Sequence, residues 1–172
     1  MNTPAAKRVI QLETQETDPQ AMQGFIKALA SEVSARPSDE RLTLVRRMAK
    51  ATHATDASIR TVIEVLEGMG KVFDLAHGSD GAAAPPEISQ AIEQIRSQRE
   101  LIEASVLTRM LFTYRSLSDA ELEAYVKFWE SDDGQWFSRM GTQAIINAMR
   151  KAGEQAAGEL KAFQEARSHV AH

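Results

Sequence analysis

The chain has 172 residues, 43% apolar and 26% charged, the balance of a globular protein and enough apolar surface to exclude disorder over most of its length. Lys plus Arg is 20 and Asp plus Glu is 24, giving 10 basic to 11 acidic residues over 1–86 and 10 to 13 over 87–172. Neither half has the basic excess that phosphate-backbone binding needs, so no nucleic-acid partner is expected. There is no cysteine, hence no disulfide, thiolate metal site or cysteine nucleophile, and no apolar run reaches the roughly 20 residues of a membrane span.

Strand-like alternation is almost absent and helical spacing recurs throughout, so the expected class is all-α. Residues 1–17 hold only Val9, Ile10 and Leu12 as an apolar cluster and are expected to be a flexible segment. That cluster is too short for a secretory signal, which leaves a cytoplasmic protein or an excised mature portion. Asp18 is a good N-cap for a first helix over about Pro19 to Ala35, with Met22, Phe25, Ile26, Leu29 and Val33 on one stripe and Pro37 stopping it. A second helix follows Ser38 to about Thr52, with Leu44, Val45, Met48 and the stem of Arg41 on its inner face. The third, from Thr55 or Asp56 to about Leu75, has the cleanest stripe: Ile59, Val62, Ile63, Leu66, Met69 and Phe73. Gly68 and Gly70 interrupt it at about 1 kcal/mol each. A kink would explain them; close approach of another helix is the preferred reading.

Residues 76–86, AHGSDGAAAPP, form the expected linker. One long helix is expected from Pro86 or Glu87 to Arg115, more deeply buried in its second half, where Leu101, Leu107, Leu111 and Tyr114 widen the apolar face. Ser118-Asp-Ala-Glu121 is a capping box, and Leu117 and Leu122 stand at the staple positions on either side of it. The helix so begun ends near Glu130. Ser131 caps a final helix to about Arg167, with Asp132 and Asp133 at the positive end of its dipole. Gly141, Ala144, Ala148, Ala152, Ala156 and Ala157 make that helix a candidate for close packing, within the chain or with a second copy. The whole is expected to be five to six helices in one domain over 18–172, a bundle with a long central helix and a C-terminal helical hairpin. The Ser-Asp helix starts at Ser38 and Ser118 also form a weak internal echo.

The stretch from Leu117 to Gln135, LSDAELEAYVKFWESDDGQ, resembles the C-terminal motif of bacterial domain of unknown function family 2059. The matching positions are Ser118, Glu121, Leu122, Phe128, Trp129, Ser131 and Gly134. The resemblance implies an all-helical fold and a periplasmic or envelope location, and it implies no activity. Seven of the ten aromatic residues lie between Phe112 and Phe137. Phe128, Trp129, Trp136 and Phe137 bracket the corner at Ser131. They read first as an aromatic core that fixes the corner, and second as a partly exposed surface for a partner.

Chemistry-bearing motifs are scarce. The chain has no phosphate-binding loop, no Gly-x-Ser-x-Gly elbow and no His-Glu-x-x-His. Glu93, Glu100 and Glu103 share a helix without the Glu-x-x-His of a di-metal bundle. His53 and His77 fall in turns, and His169 and His172 near the end of the last helix. Arg41, Arg46, Arg47 and Lys50 form a small basic cluster, read as a solvated face rather than an anion site. No catalytic, cofactor or metal residues are therefore assigned. The expected role is a non-catalytic interaction or scaffold module, and the alternative is a carrier or sensor of a small apolar ligand or lipid held between helices. The face Met149, Ala152, Gly153, Ala156, Leu160 and Phe163 adds the expectation of a homodimer.

Overall fold

A computed structural model describes residues 4–15, 23–25, 27, 37–76 and 85–170. Every regular element among them is helical, as the apolar spacing predicts. In chain order they are α1 (Pro4–Gln15), α2 (Asp39–Ala51), α3 (Ala54–Ala76), α4 (Pro86–Ser97), α5 (Arg99–Thr113), α6 (Asp119–Glu130) and α7 (Asp132–Val170), and residues 23–25 are helical as well. This exceeds the five to six expected, for two reasons. The segment 1–17, expected to be flexible, contains α1. The single long helix expected from residue 86 or 87 to 115 is two helices, interrupted at Gln98 and ending at Thr113. Most of the helix expected over Pro19 to Ala35, and residues 77–84 of the linker, lie outside the described residues.

The interruption at Gln98 is slight: its N–H is shared between the carbonyls of Gln94 and Ile95 at 3.1 and 3.3 Å. Ser97 donates its hydroxyl to the Gln94 carbonyl as well. Residues 96–101 are all exposed, so no packing holds the ladder straight through this polar stretch. The expected gradient of burial is present in part: α4 has no buried residue and Leu107, Met110 and Leu111 of α5 pack against a core, but Leu101, expected on the same face, is 68% exposed beside the interruption.

Where a single domain was expected, the chain divides into two compact units, neither contiguous in sequence. One comprises Met1–Ala54 and Glu103–Ser138, the other Thr55–Ile102 and Arg139–His172. In the first, α2 packs on α6. Leu44, Val45 and Met48 meet Leu122 and Val126, and Tyr114 and Leu117 complete the core. Val9 of α1 is 3% exposed and belongs to the same cluster.

Polar bonds fix these contacts. The Arg41 guanidinium donates to the carbonyls of Tyr114 and Leu117 and pairs with Asp119, tying α2 to the turn that leads into α6. Arg47 donates twice to the Glu130 carboxylate, at 2.9 and 2.7 Å. Two of the four residues read as a basic cluster are thus occupied by ion pairs within the unit. At the end of α2, where carbonyls lack helical partners, Gln135 donates to Ala51 and Ser138 donates to Thr52. His53, the only described non-glycine residue at positive φ, makes the turn that follows.

In the second unit, α3 and α7 come together at two glycines. A Cβ built on Gly153 would stand 2.9 Å from the Gly68 Cα, whereas one built on Gly68 would stand 3.4 Å from the Gly153 Cα. Close approach, the preferred reading of Gly68, is what places it in a helix. Gly70 is buried against the side chains of Ile88 and Pro85. The asymmetry at the crossing gives an expected result. Gly68→Ala should be neutral or raise the melting temperature, since a helical alanine gains about 1 kcal/mol over glycine. Gly153→Ala should lower it, because backbone must move aside at a cost of about 1–3 kcal/mol. Equal shifts in thermal melts of the two variants would rule out this crossing.

Candidate interaction surfaces

The corner between α6 and α7 assembles the motif residues. Ser118 is the N-cap of α6: its hydroxyl accepts from the Glu121 N–H, and the Glu121 carboxylate accepts from the Ser118 N–H at 2.8 Å. Both staple leucines are buried, Leu117 at 3% and Leu122 at 0% exposure. At the other end of α6, the Ser131 hydroxyl donates to the Phe128 carbonyl at 2.6 Å and accepts from the Gly134 N–H at 3.2 Å. One side chain thereby closes α6 and opens α7. Gly134 is buried directly on the end of α6. A Cβ there would overlap the Phe128 carbonyl oxygen and lie 2.7 Å from the Trp129 Cα.

The aromatic side chains divide into an inner and an outer group. Tyr114, Tyr125, Phe128 and Trp129 are buried or half-buried, with ring centroids 5.2–6.4 Å apart from neighbour to neighbour. Both tyrosine hydroxyls donate to one Glu13 carboxylate oxygen, at 2.7 and 2.8 Å. Burial, and then the Glu13 charge, push the Tyr125 phenol well above its ordinary range. The Phe137 ring centroid lies 5.9 Å from that of Trp129, yet Phe137 is 54% exposed, and Trp136 is 59% exposed. Phe128 and Trp129 thus fit the reading as an aromatic core that fixes the corner, while Trp136 and Phe137 fit the reading as an exposed surface.

Two carboxylates in this unit titrate below the ordinary value of 4.5. Glu121 is lowered by its bonds from Ser118 and Glu130 by its bonds from Arg47. A depressed native value means that the stabilisation is complete above the unfolded value and is lost as pH falls through the native one. The chain is therefore expected to lose stability below about pH 4.5. Glu121→Gln combined with Glu130→Gln should flatten that loss in thermal melts taken between pH 7 and pH 3. An unchanged acid slope would show that these two pairs do not contribute.

The second unit has a groove of about 500 Å³ between α3 and α7. Gly68, Gly153, Ala152 and Ala156 form its low part, Val65, Met69, Val72, Phe73 and Met149 its sides, and Glu64 is its one charged lining residue. The sequence places these residue types on the right helices, but which glycine meets which is not readable from spacing. Several large apolar side chains of α7 are largely in solvent. Met140, Ile145 and Phe163 are 51–59% exposed, and the buried positions include Ser138, Ile146 and Ala157.

Among the described residues no group of three or more His, Asp or Glu side chains converges as metal ligands would, and no helix is long and apolar enough to cross a membrane. Glu93 pairs with Arg96 at 2.6 Å. His53 is exposed in its turn, whereas His77, His172 and the His169 side chain lie outside what is described. Glu13, Gln135 and Ser138 emerge as positioning residues that spacing alone does not mark. Compared with known proteins, the chain matches no family, no curated protein and no solved structure.

Proposed function

We propose that the chain is a non-catalytic interaction or scaffold module of the bacterial envelope, related to domain of unknown function family 2059 and acting through exposed apolar side chains on rigid helices. The observation that carries this reading is the pair Trp136 and Phe137. Both are more than half exposed on a corner made rigid by Ser131 and Gly134. Large aromatic side chains held outward at fixed geometry lose little freedom on binding, which is why Trp is enriched at binding hot spots. The family motif at Ser118, Glu121, Leu122, Phe128, Trp129, Ser131 and Gly134 supports the envelope assignment, and self-association into a homodimer belongs to the same reading. Photo-crosslinking from position 136 in an envelope-targeted chain tests it. A discrete protein adduct is expected from position 136 and not from the exposed Lys127; equal labelling from both positions would remove the proposal. The alternative, a carrier of a small apolar ligand, rests on the groove between α3 and α7, and a bound apolar mass in native mass spectrometry would favour it.

A further inference from the structure

We infer that the groove side of α3 and α7 is the surface on which a second copy of this chain docks. The inference rests on the reading of the protein as an association module and names the partner for the second unit. Three observations carry it.

The first is area. Val65, Met69 and Phe73 on α3, and Ile145, Met149 and Phe163 on α7, are each 39–59% exposed. At about 200 Å² for a large apolar side chain, they present on the order of 600 Å² of surface. Two copies would bury roughly 1,200 Å² or more, where stable specific interfaces begin.

The second is shape. Helical spacing sets Ile145, Met149, Ala152, Ala156 and Phe163 on one side of α7, and Val65, Met69 and Phe73 on one side of α3. Each copy therefore carries a valley of small residues beside a ridge of large ones. A surface holding both parts can meet itself across a two-fold axis, ridge into valley.

The third is charge. Glu64 is the one charged residue that lines the groove, and helical spacing turns Lys151 and Glu154 to the other side of α7. A surface with so little charge gives no attraction for a strongly acidic or basic partner, and little repulsion against an identical one. A small apolar ligand in the groove would not cover Ile145 or Phe163, which lie outside its lining.

Sedimentation equilibrium at tens of micromolar tests the inference. The chain should sediment at about twice its 19.0 kDa. Met69→Glu and Phe73→Glu, both at exposed positions, should weaken association at least tenfold with helical circular dichroism unchanged, and Trp136→Glu should leave it intact. Because the chain has no cysteine, a nitroxide at Gln155→Cys, exposed and outside the groove lining, gives a readout that needs no disruption: dipolar coupling between copies at under about 30 Å. A monomer at 100 micromolar, a dimer that survives both glutamate variants, or the absence of dipolar coupling overturns the inference, as does a monomer carrying an apolar small molecule. A monomer that still crosslinks a protein from position 136 would overturn this inference while leaving the proposed function standing.

Discussion

Gly134→Val is expected to destabilise the chain by about 3 kcal/mol or more, a fall in melting temperature of roughly 6–12 °C for a protein of this size. The added carbons have nowhere to go. The Cβ alone would overlap the Phe128 carbonyl oxygen, and the Trp129 Cα lies 2.7 Å away. These are backbone atoms at the end of α6, so no rotamer change relieves the clash. The end of α6 would have to move, breaking the bonds of Ser131 to Phe128 and Gly134. Since the overlap is already present at Cβ, Gly134→Ala should share most of the loss, although alanine is the better helix former. Thermal melts by circular dichroism decide this: an alanine variant as stable as the parent would show that α7 does not sit on the end of α6.

Leu122→Ala is expected to cost about 3–4 kcal/mol, within the range for deleting a buried leucine side chain. Leu122 has no exposed surface and lies in the cluster with Leu44, Val45, Met48, Leu117 and Val126. Its neighbours come from α2 and α6 and from the turn before α6, so the vacated volume cannot close by a shift of one helix. Leu101→Ala is the matched control, because Leu101 is 68% exposed and its loss should stay within about 0.5 kcal/mol. Chemical denaturation of the two variants should separate them by the full difference. Equal midpoints would mean that the core is not where Leu122 is.

The corner was legible because its determinants are local. A capping box, two staple leucines and a serine three residues before a glycine each act within about four residues, and each is found as predicted. The packing of α2 was legible for a related reason: Leu44, Val45 and Met48 repeat at helical spacing and are buried together. Helix α1 was not legible. Among its described side chains Val9 is the deeply buried apolar one, and much of its attachment is polar, through Arg8 to the Ser116 carbonyl and Glu13 to two tyrosines over 100 residues away in sequence. Periodicity does not register such bonds. On α7 the periodicity identified a face correctly but not its cover. Met149 and Phe163 have the spacing of a core stripe and are 39% and 59% exposed, because spacing reports which side chains share a side and not what stands opposite. The glycine types at 68 and 153 were visible in sequence, whereas their pairing depends on how two distant helices meet.

The interleaving of the two units has a consequence for synthesis on the ribosome. The apolar face of α2, with Leu44, Val45 and Met48, is made early, but Leu122 and Val126, which cover it, come more than 70 residues later. At about 5–20 residues per second that face waits roughly 4–15 seconds in the nascent chain. The second unit waits longer, because its share of α7 begins only at Arg139. The first unit can close only once Ser138 is made, and the second only once its share of α7 has followed. A chain built this way exposes α2 to chaperones and to other nascent chains while more than 70 further residues are made, and slower translation between the codons for Met48 and Leu122 lengthens that exposure directly.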